Sequence, residues 1–417
     1  MRNHLWHPIT AAVAVCGLAT CLAQPSSAGE AAGEAVAAAA AGKRFLACGS
    51  DNVGGDPNWI VEAYDAGDGS ILWTDAFGGP GAEERCNALA VKGKTAVAVG
   101  RVQSPAGNEW LVRALDTRTG ALLWDIAEPG AGIASHVAIK GKRVFVAGSR
   151  DNGIDEDFFV AAYDARTGAL LWSDQQNPDA GDMDGASRLA VKGSLLVAVG
   201  SLRNGINTDW YVRAYRAKTG EFLWEERFDA DGSTDYASDV AIQGKRVFVA
   251  GSTLIGGDRE FLVRAYDART GGELWSDLFD LAGGGDGASR IAVKGRRVFA
   301  AGQVDNGSDS DVLLRTLDAK TGGLLWDDLH DRAGGGENVN ALVVKGGRLY
   351  MSGAESNGLD GDAFVRIYSA KSGFLESEDV LDLGGNERGN EIALRGKTVF
   401  QAAIASEQYL VRILGLP

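Results

Sequence analysis

The chain is poor in the residues that most catalytic and metal chemistry requires. Of 417 residues, four are cysteine, four histidine, three methionine and eight proline. Cys16, Cys21, His4 and His7 lie in the first 28 residues, so only Cys48, Cys86, His136 and His330 remain beyond them. Two imidazoles are too few for a His-rich metal centre and argue against a His-dependent catalytic triad. Cys48 and Cys86 suit either one disulfide in an oxidising compartment or two buried thiols. Positive charge is also short, with 41 Lys and Arg against 56 Asp and Glu, a net charge of −15. That balance opposes non-specific binding to nucleic acid or to an anionic membrane surface. No apolar run is long enough to span a bilayer as a helix.

The N-terminus has the order of an export signal. Arg2 gives a basic start, Ile9 to Ala23 is apolar, and Ser26-Ser27-Ala28 offers a small-residue cleavage site. Leu18-Ala19-Thr20-Cys21 also resembles a lipoprotein box, which makes a lipid anchor at Cys21 the alternative to simple cleavage. The expected organisation is a signal peptide over 1–28, a short segment over 29–35 and one folded domain over 36–417. The expected location is periplasmic or secreted.

Glycine is abundant, at 58 residues, and it repeats. A glycine turn with basic neighbours recurs at Gly42, Gly93, Gly141, Gly193, Gly244, Gly295, Gly346 and Gly396. The intervals are 51, 48, 52, 51, 51, 51 and 50 residues. A second pattern, YDARTGALLW at Tyr163–Trp172, recurs in step as YDAGDGSILW, LDTRTGALLW, YRAKTGEFLW, YDARTGGELW and LDAKTGGLLW. A degraded copy, YSAKSGFLES, has Ser377 in place of the tryptophan.

Each unit divides into four short runs rich in Val, Ile, Phe and Tyr, bounded by Gly, Asn and Asp. In one unit these are Ser238–Gln243, Val247–Gly251, Phe261–Asp267 and a stretch ending at Trp275. The first run places bulky residues on one face (Leu89, Val137, Leu189, Val240, Ile291) and alanines on the other (Ala90, Ala138, Ala190, Ala241, Ala292). A strand apolar on both faces lies between two packed layers, and a bulky face against an alanine face lets sheets nest closely. Radially stacked blades need that fit, and closing the ring protects the sheet edges. The fold expected is all-β: a single β-propeller of four-stranded antiparallel blades. Eight blades are preferred and seven are the alternative, because the last unit lacks a fourth strand before Pro417.

The Asp-Ala-x-Thr-Gly-x-Leu-x-Trp core resembles the repeat of the PQQ-binding-like, quinoprotein-type propellers. Gly283–Gly302 and Asp155–Asp164 are also similar to the bacterial SBBP propeller repeat. The resemblance implies that Trp73, Trp124, Trp172, Trp224, Trp275 and Trp326 dock against neighbouring blades as structural residues. It also brings PQQ into view. However, quinone dehydrogenases of that family carry adjacent cysteines and a Glu-Asn-Asp calcium triad, which this chain does not show. No cofactor is therefore expected, PQQ least of all, while Ca²⁺ stays open.

Two sets of residues mark candidate sites. A carboxylate recurs nine residues before the turn glycine, as Glu84, Asp184, Asp235, Asp286, Glu337 and Glu387, with Gly132 the exception. These form a candidate cation ring, or each shapes its own glycine-rich loop. Near the axis one position varies as Ala88, His136, Arg188, Asp239, Arg290, Ala341 and Glu391, beside a neighbour that stays Ser or Asn. His136, Arg188, Asp239, Arg290 and Glu391 are the candidate ligand-binding set, with mutual salt bridging as the alternative account. Second turns such as Asp151–Asp157 and Asp305–Asp311 make one rim acidic, while all 13 lysines lie by the first and third turns. The functional expectation is a non-catalytic exported scaffold binding a protein or other extracytoplasmic ligand through the acidic rim or axial mouth. The alternative is an enzyme, either a degenerate quinoprotein oxidoreductase or a polysaccharide-active propeller.

Overall fold

The computed structural model describes residues 22–23, 33–51, 57–78, 83–104, 107–177, 184–205, 207–230, 232–281, 284–331, 335–405 and 408–415. The expected signal peptide, apart from Leu22–Ala23, and the anchor candidate Cys21 lie outside these. The described residues form strands and turns without helices. Eight four-stranded antiparallel blades follow one another around a ring. Blade 1 is Gly33–Ala41, Arg44–Asp51, Asn58–Asp65 and Ile71–Phe77. Blades 2 to 8 start at Glu84, within the strand Leu122–Lys140, and at Gly185, Tyr236, Gly287, Asn338 and Glu387. The first strand of each blade lies against those of both neighbours, and Glu387–Arg395 against Gly33–Ala41 closes the circle.

Two expectations need correction. The fourth strand does not end at the tryptophan but continues past it, as in Glu273–Phe279, where the alternating residues after Trp275 pair with Phe261–Arg264. The last blade is also not short of a strand. Leu22–Ala23 pairs with Val411–Arg412 and supplies the fourth strand from the other end of the chain.

The core is a set of apolar layers, one in each seam between blades. In the seam of blades 8 and 1, for instance, Phe45 stacks on Phe400 with ring centroids 4.7 Å apart. Each repeated tryptophan works in such a seam. Trp224 donates from its indole N–H to the Ala268 carbonyl of the next blade at 3.1 Å, and Trp73, Trp124, Trp172 and Trp275 do the same one blade along. The ring lies on the Thr-Gly glycine of that next blade. At Gly271, φ is +76° and a Cβ would come within 2.6 Å of Trp224. The motif glycine and tryptophan therefore belong to opposite sides of one contact. Blade 8 has no such turn, since its outer strand comes from the N-terminus, and the residue that would face it is Ser377.

A second lock uses third-strand arginines. Arg113 bridges Asp125 of its own blade and Asp75 of the preceding one at 2.9 and 2.7 Å. Arg315 repeats this with Asp327 and Asp277. Buried pairs of this kind add little net stability but oppose any slip of register, because a lone buried charge is costly. The disulfide Cys48–Cys86 joins blades 1 and 2.

The shortest repeat has a structural cause. Between blades 2 and 3 the interblade loop is absent, and Leu122–Lys140 runs through as one strand of 19 residues. The exception Gly132 sits there, pairing with Arg150; a Cβ on it would meet the Ser149 carbonyl at 2.4 Å.

Gly271→Ala is expected to lose about 2–4 kcal/mol in urea unfolding, from φ strain plus displacement of Trp224. Reducing the disulfide, which spans 38 residues, should lower the unfolding midpoint by the equivalent of about 2–4 kcal/mol. An unchanged midpoint in dithiothreitol would show that the seam of blades 1 and 2 holds without it.

Candidate functional site

The axial position is made by a β-bulge. In all eight first strands the register slips by one residue, at Val36, Asn87, Ser135, Ser187, Ser238, Ser289, Asn340 and Asn390. A bulge bends its strand and re-aims the residue that follows. The bulged side chains then tie the ring together. Asn87 donates to the Ala134 carbonyl, Ser289 to Val339, Asn340 to Gly389 and Asn390 to Ala35, at 2.7–3.0 Å, each reaching into the next blade. Hence Ser or Asn beside a variable neighbour in blades 2 to 8, with Val36 in blade 1. Opposite the bulge the second strand needs glycine, since a Cβ at Gly251 would lie 1.9 Å from the Tyr236 carbonyl.

The structure brings the five variable axial residues together. His136, Arg188, Asp239, Arg290 and Glu391 follow their bulges in blades 3, 4, 5, 6 and 8, all half-buried. The corresponding residues of blades 1, 2 and 7 are Ala37, Ala88 and Ala341, so four of the five lie on successive blades and Glu391 stands between two alanine positions. Two of the five cap the next blade: His136 Nδ1 accepts from the Leu189 N–H at 3.4 Å, and Asp239 from Ile291 at 3.0 Å. Arg290 donates to the carbonyls of Asn340 and Ser289. Glu391 accepts only from the adjoining Ile392 N–H among the described contacts. Arg188 makes no hydrogen bond or ion pair among the described residues.

The groups sense one another electrostatically. Burial, aided by Arg188 and Arg290, pushes His136 down to about 3, so its imidazole is neutral. Burial and Arg188 lower Arg290 to about 10 against the opposing pull of Asp239 and Glu391. Glu391 is raised by burial, with the two arginines acting the other way. No close salt-bridged chain of Arg188, Asp239 and Arg290 is formed; the coupling is at longer range.

The recurrent carboxylates sit elsewhere. Glu84, Asp184, Asp235, Asp286, Glu337 and Glu387 are all buried under the rim at the seams. Asp286 accepts N–H bonds from Leu281 and Asp305 at 2.8 Å, and Asp235 from Ala230 and Leu254. Glu337 accepts from Val312, Glu387 from Leu383, and Asp184 from Arg203. Asp235, Asp286 and Glu387 thereby pin their own interblade loops, and the acids beside Asp286 and Glu387 come from the preceding blade. Third-strand acids (Glu260, Asp311, Asp362) and outer-loop acids (Asp280, Asp331, Asp382) meet there. Three resulting groups, Glu260–Asp280–Asp286, Asp309–Asp311–Asp331 and Asp360–Asp362–Asp382, bring their oxygens within 4.8 Å of one another. A fourth, His330–Glu337–Glu355, is already served by Arg366, which pairs with Glu355. Reading each repeated position alone missed this convergence, although the acids at all three positions recur with the same period.

The acid-rich rim is concave. A cleft of about 860 Å³ opens between blades 7 and 8, lined by Asn338, Glu355, Leu359, Asp360, Asn386 and Arg388 among others. A second, of about 740 Å³, lies beside it around Asn306, Asp309 and Asp331. On the opposite rim Lys92, Lys192 and Lys345 donate to first-turn or first-strand carbonyls of the next blade at 2.9–3.1 Å.

Residues 57–257 and 259–376 match the family profile described as outer membrane protein assembly factor BamB. The chain belongs to that family. Several solved structures share the fold of this BamB-family chain. BamB from Moraxella catarrhalis aligns over 94% of the chain and 99% of its own length, with 16% identity and a TM-score of 0.57. The quinohemoprotein alcohol dehydrogenase ADHIIG of Pseudomonas putida HK5 aligns over 93% and 76%, with 14% identity and a TM-score of 0.58. Chaetomium thermophilum Sqt1, solved with the N-terminus of ribosomal protein L10, aligns over 92% and 97%, with 14% identity and a TM-score of 0.63. No curated protein matches the BamB-family chain in sequence. The only cysteines among the described residues sit in different blades, and the six repeated indoles are committed to seams.

Arg290→Ala should destabilise the protein by about 1–3 kcal/mol, because two backbone carbonyls lose their donor. Arg188→Ala should stay within about 0.5 kcal/mol of the parent. Equal losses in urea titrations would show that Arg188 is also part of the interblade bonding.

Proposed function

We propose that the protein is an exported, non-catalytic scaffold that holds a polypeptide partner on its acid-rich rim, in the cleft between blades 7 and 8 and across the adjoining axial mouth. The cleft itself carries this reading: it combines concavity, apolar surface and charge beside an axis that retains binding capacity. Leu359, 94% exposed at the tip of an Asn-Gly turn, supplies an apolar contact, and Asp360 and Arg388 flank it. Arg188 and Glu391 add unspent donors and acceptors within the channel, at a position where other blades need only alanine. Exposed apolar side chains rimmed by charge are the pattern of an interaction site.

The family description, an outer membrane protein assembly factor, supports a role in partner handling. The Sqt1 structure offers a propeller of similar shape that holds a polypeptide N-terminus. Export is supported by the Cys48–Cys86 disulfide, which suits an oxidising compartment, and by the apolar N-terminal segment, with processing before Cys21 rather than after Ala28, since Leu22–Ala23 complete blade 8. Catalysis is not proposed, because the axial histidine is held neutral far below its ordinary range and no nucleophile is paired with a base there.

The test is comparative affinity capture from envelope extract. The double variant Leu359→Asp/Arg388→Glu is expected to recover at least about tenfold less of the partner held by the parent, with Tm unchanged within about 2 °C. Charge reversal of Lys94 and Lys142 on the other rim should leave recovery intact. Full recovery by the cleft variant, or loss only with the lysine variant, would overturn the assignment.

A further inference from the structure

Blade 5 departs from the arrangement that serves the third-strand acids of blades 3, 4, 6 and 7. In blades 3, 4, 6 and 7 the third-strand acid is served by the asparagine of the second turn. Asn152 donates to Asp157 at 2.8 Å, Asn204 to Asp209 at 2.9 Å, Asn306 to Asp311 at 2.9 Å and Asn357 to Asp362 at 3.3 Å. The outer strand adds Gln175 in blade 3 and Arg227 in blade 4. In blade 5 the turn reads Leu254-Ile255-Gly256-Gly257-Asp258, without asparagine, and the outer-strand position is Leu278. The acid there is Glu260.

Glu260 is 94% buried, and its Oε2 has no hydrogen-bond partner among the described residues. What surrounds it is more negative charge. Asp280 and Asp286 bring carboxylate oxygens within 4.8 Å of it and of each other, and Asp258 adds to the repulsion. The adjacent Arg259 is turned away, with its guanidinium over the Tyr236 ring at 5.0 Å and bonded to Ser252. A buried carboxylate without a donor or counter-charge is costly, so something must neutralise it. Burial and the neighbouring acids both raise the Glu260 carboxyl above its ordinary range, as expected of a site short of positive charge.

We propose that Glu260, Asp280 and Asp286 bind a calcium ion on the rim of blade 5. The donor set is all oxygen, which suits a hard cation. Ca²⁺–oxygen distances of about 2.3–2.6 Å allow ligands up to about 5 Å apart, as these are, and its loose geometry accepts ligands from three separate segments. Mg²⁺, with shorter bonds and strict octahedral demands, fits three unevenly placed carboxylates less well. Asp286 already accepts the Asp305 N–H of blade 6, and its own N–H donates to the Arg259 carbonyl. The ion would therefore fasten the blade 5–6 loop to both blades. The similar groups in blades 6 and 7 are not assigned ions, since asparagine donors serve their third-strand acids, Asp311 and Asp362.

The experiment uses the full-length protein, stripped with chelator and titrated with CaCl₂ by calorimetry and thermal melting. One site and a rise in Tm of about 3 °C at 1 mM Ca²⁺ are expected, with a clearly smaller rise for Mg²⁺. Glu260→Gln should melt no lower than the stripped parent and should bind Ca²⁺ at least tenfold more weakly. Asp280→Asn, at an exposed position, should weaken binding without any folding defect. Asp311→Asn, as a control in blade 6, should retain the calcium response. Absence of Ca²⁺ binding by the parent, an equal Mg²⁺ response, or undiminished binding by both Glu260→Gln and Asp280→Asn would overturn the assignment.

Discussion

The indole of one blade rests on the turn glycine of the next, and the order of the ring follows from that contact. A β-sheet of four strands has two apolar faces and cannot stand in water alone. Here each blade leaves its outer strand incomplete as a surface until the following blade presents a glycine flat enough to receive a tryptophan. The dependence runs in one direction from blade 1 to blade 7, so blades 2 to 6 each give an indole and receive one, while blade 8 stands outside the series. The arginines of the third strands and the bulged Ser and Asn residues repeat that directional logic at outer and inner radius. Three concentric sets of contacts then fix blade spacing without a common central core.

Ring closure exposes the one place where a linear chain must meet itself. The C-terminal strands of blade 8 receive their last partner from Leu22–Ala23 and pack on blade 1 through Phe400 and Phe45. The absent turn in blade 8 removes the seat for a seventh tryptophan. Ser377, a decayed repeat when seen in sequence, is instead the residue fitted to that gap.

Repetition makes the fold legible in the sequence. Strands, turns and blade number follow from a period near 51 residues, because each unit faces the same neighbours and must solve the same packing problem. The fourth strand of blade 8 was not legible, since its partner is some 390 residues away and only two residues long. The axial set was found by its variation against a constant background. Its roles were not: which of His136, Asp239 and Arg290 bond to the next blade depends on bulge geometry that a pattern of residue types does not carry. The carboxylates show the same limit. Their period was plain, but the side chains that meet them arrive from three positions of the blade, and only chain folding superimposes those.

The single strand that joins blades 2 and 3 gives the disc a notch. There the chain passes from one blade to the next within one strand, and the two blades share a seven-stranded sheet. In an eight-membered circle this side lies diametrically across from the junction of blades 6 and 7, where the clefts begin.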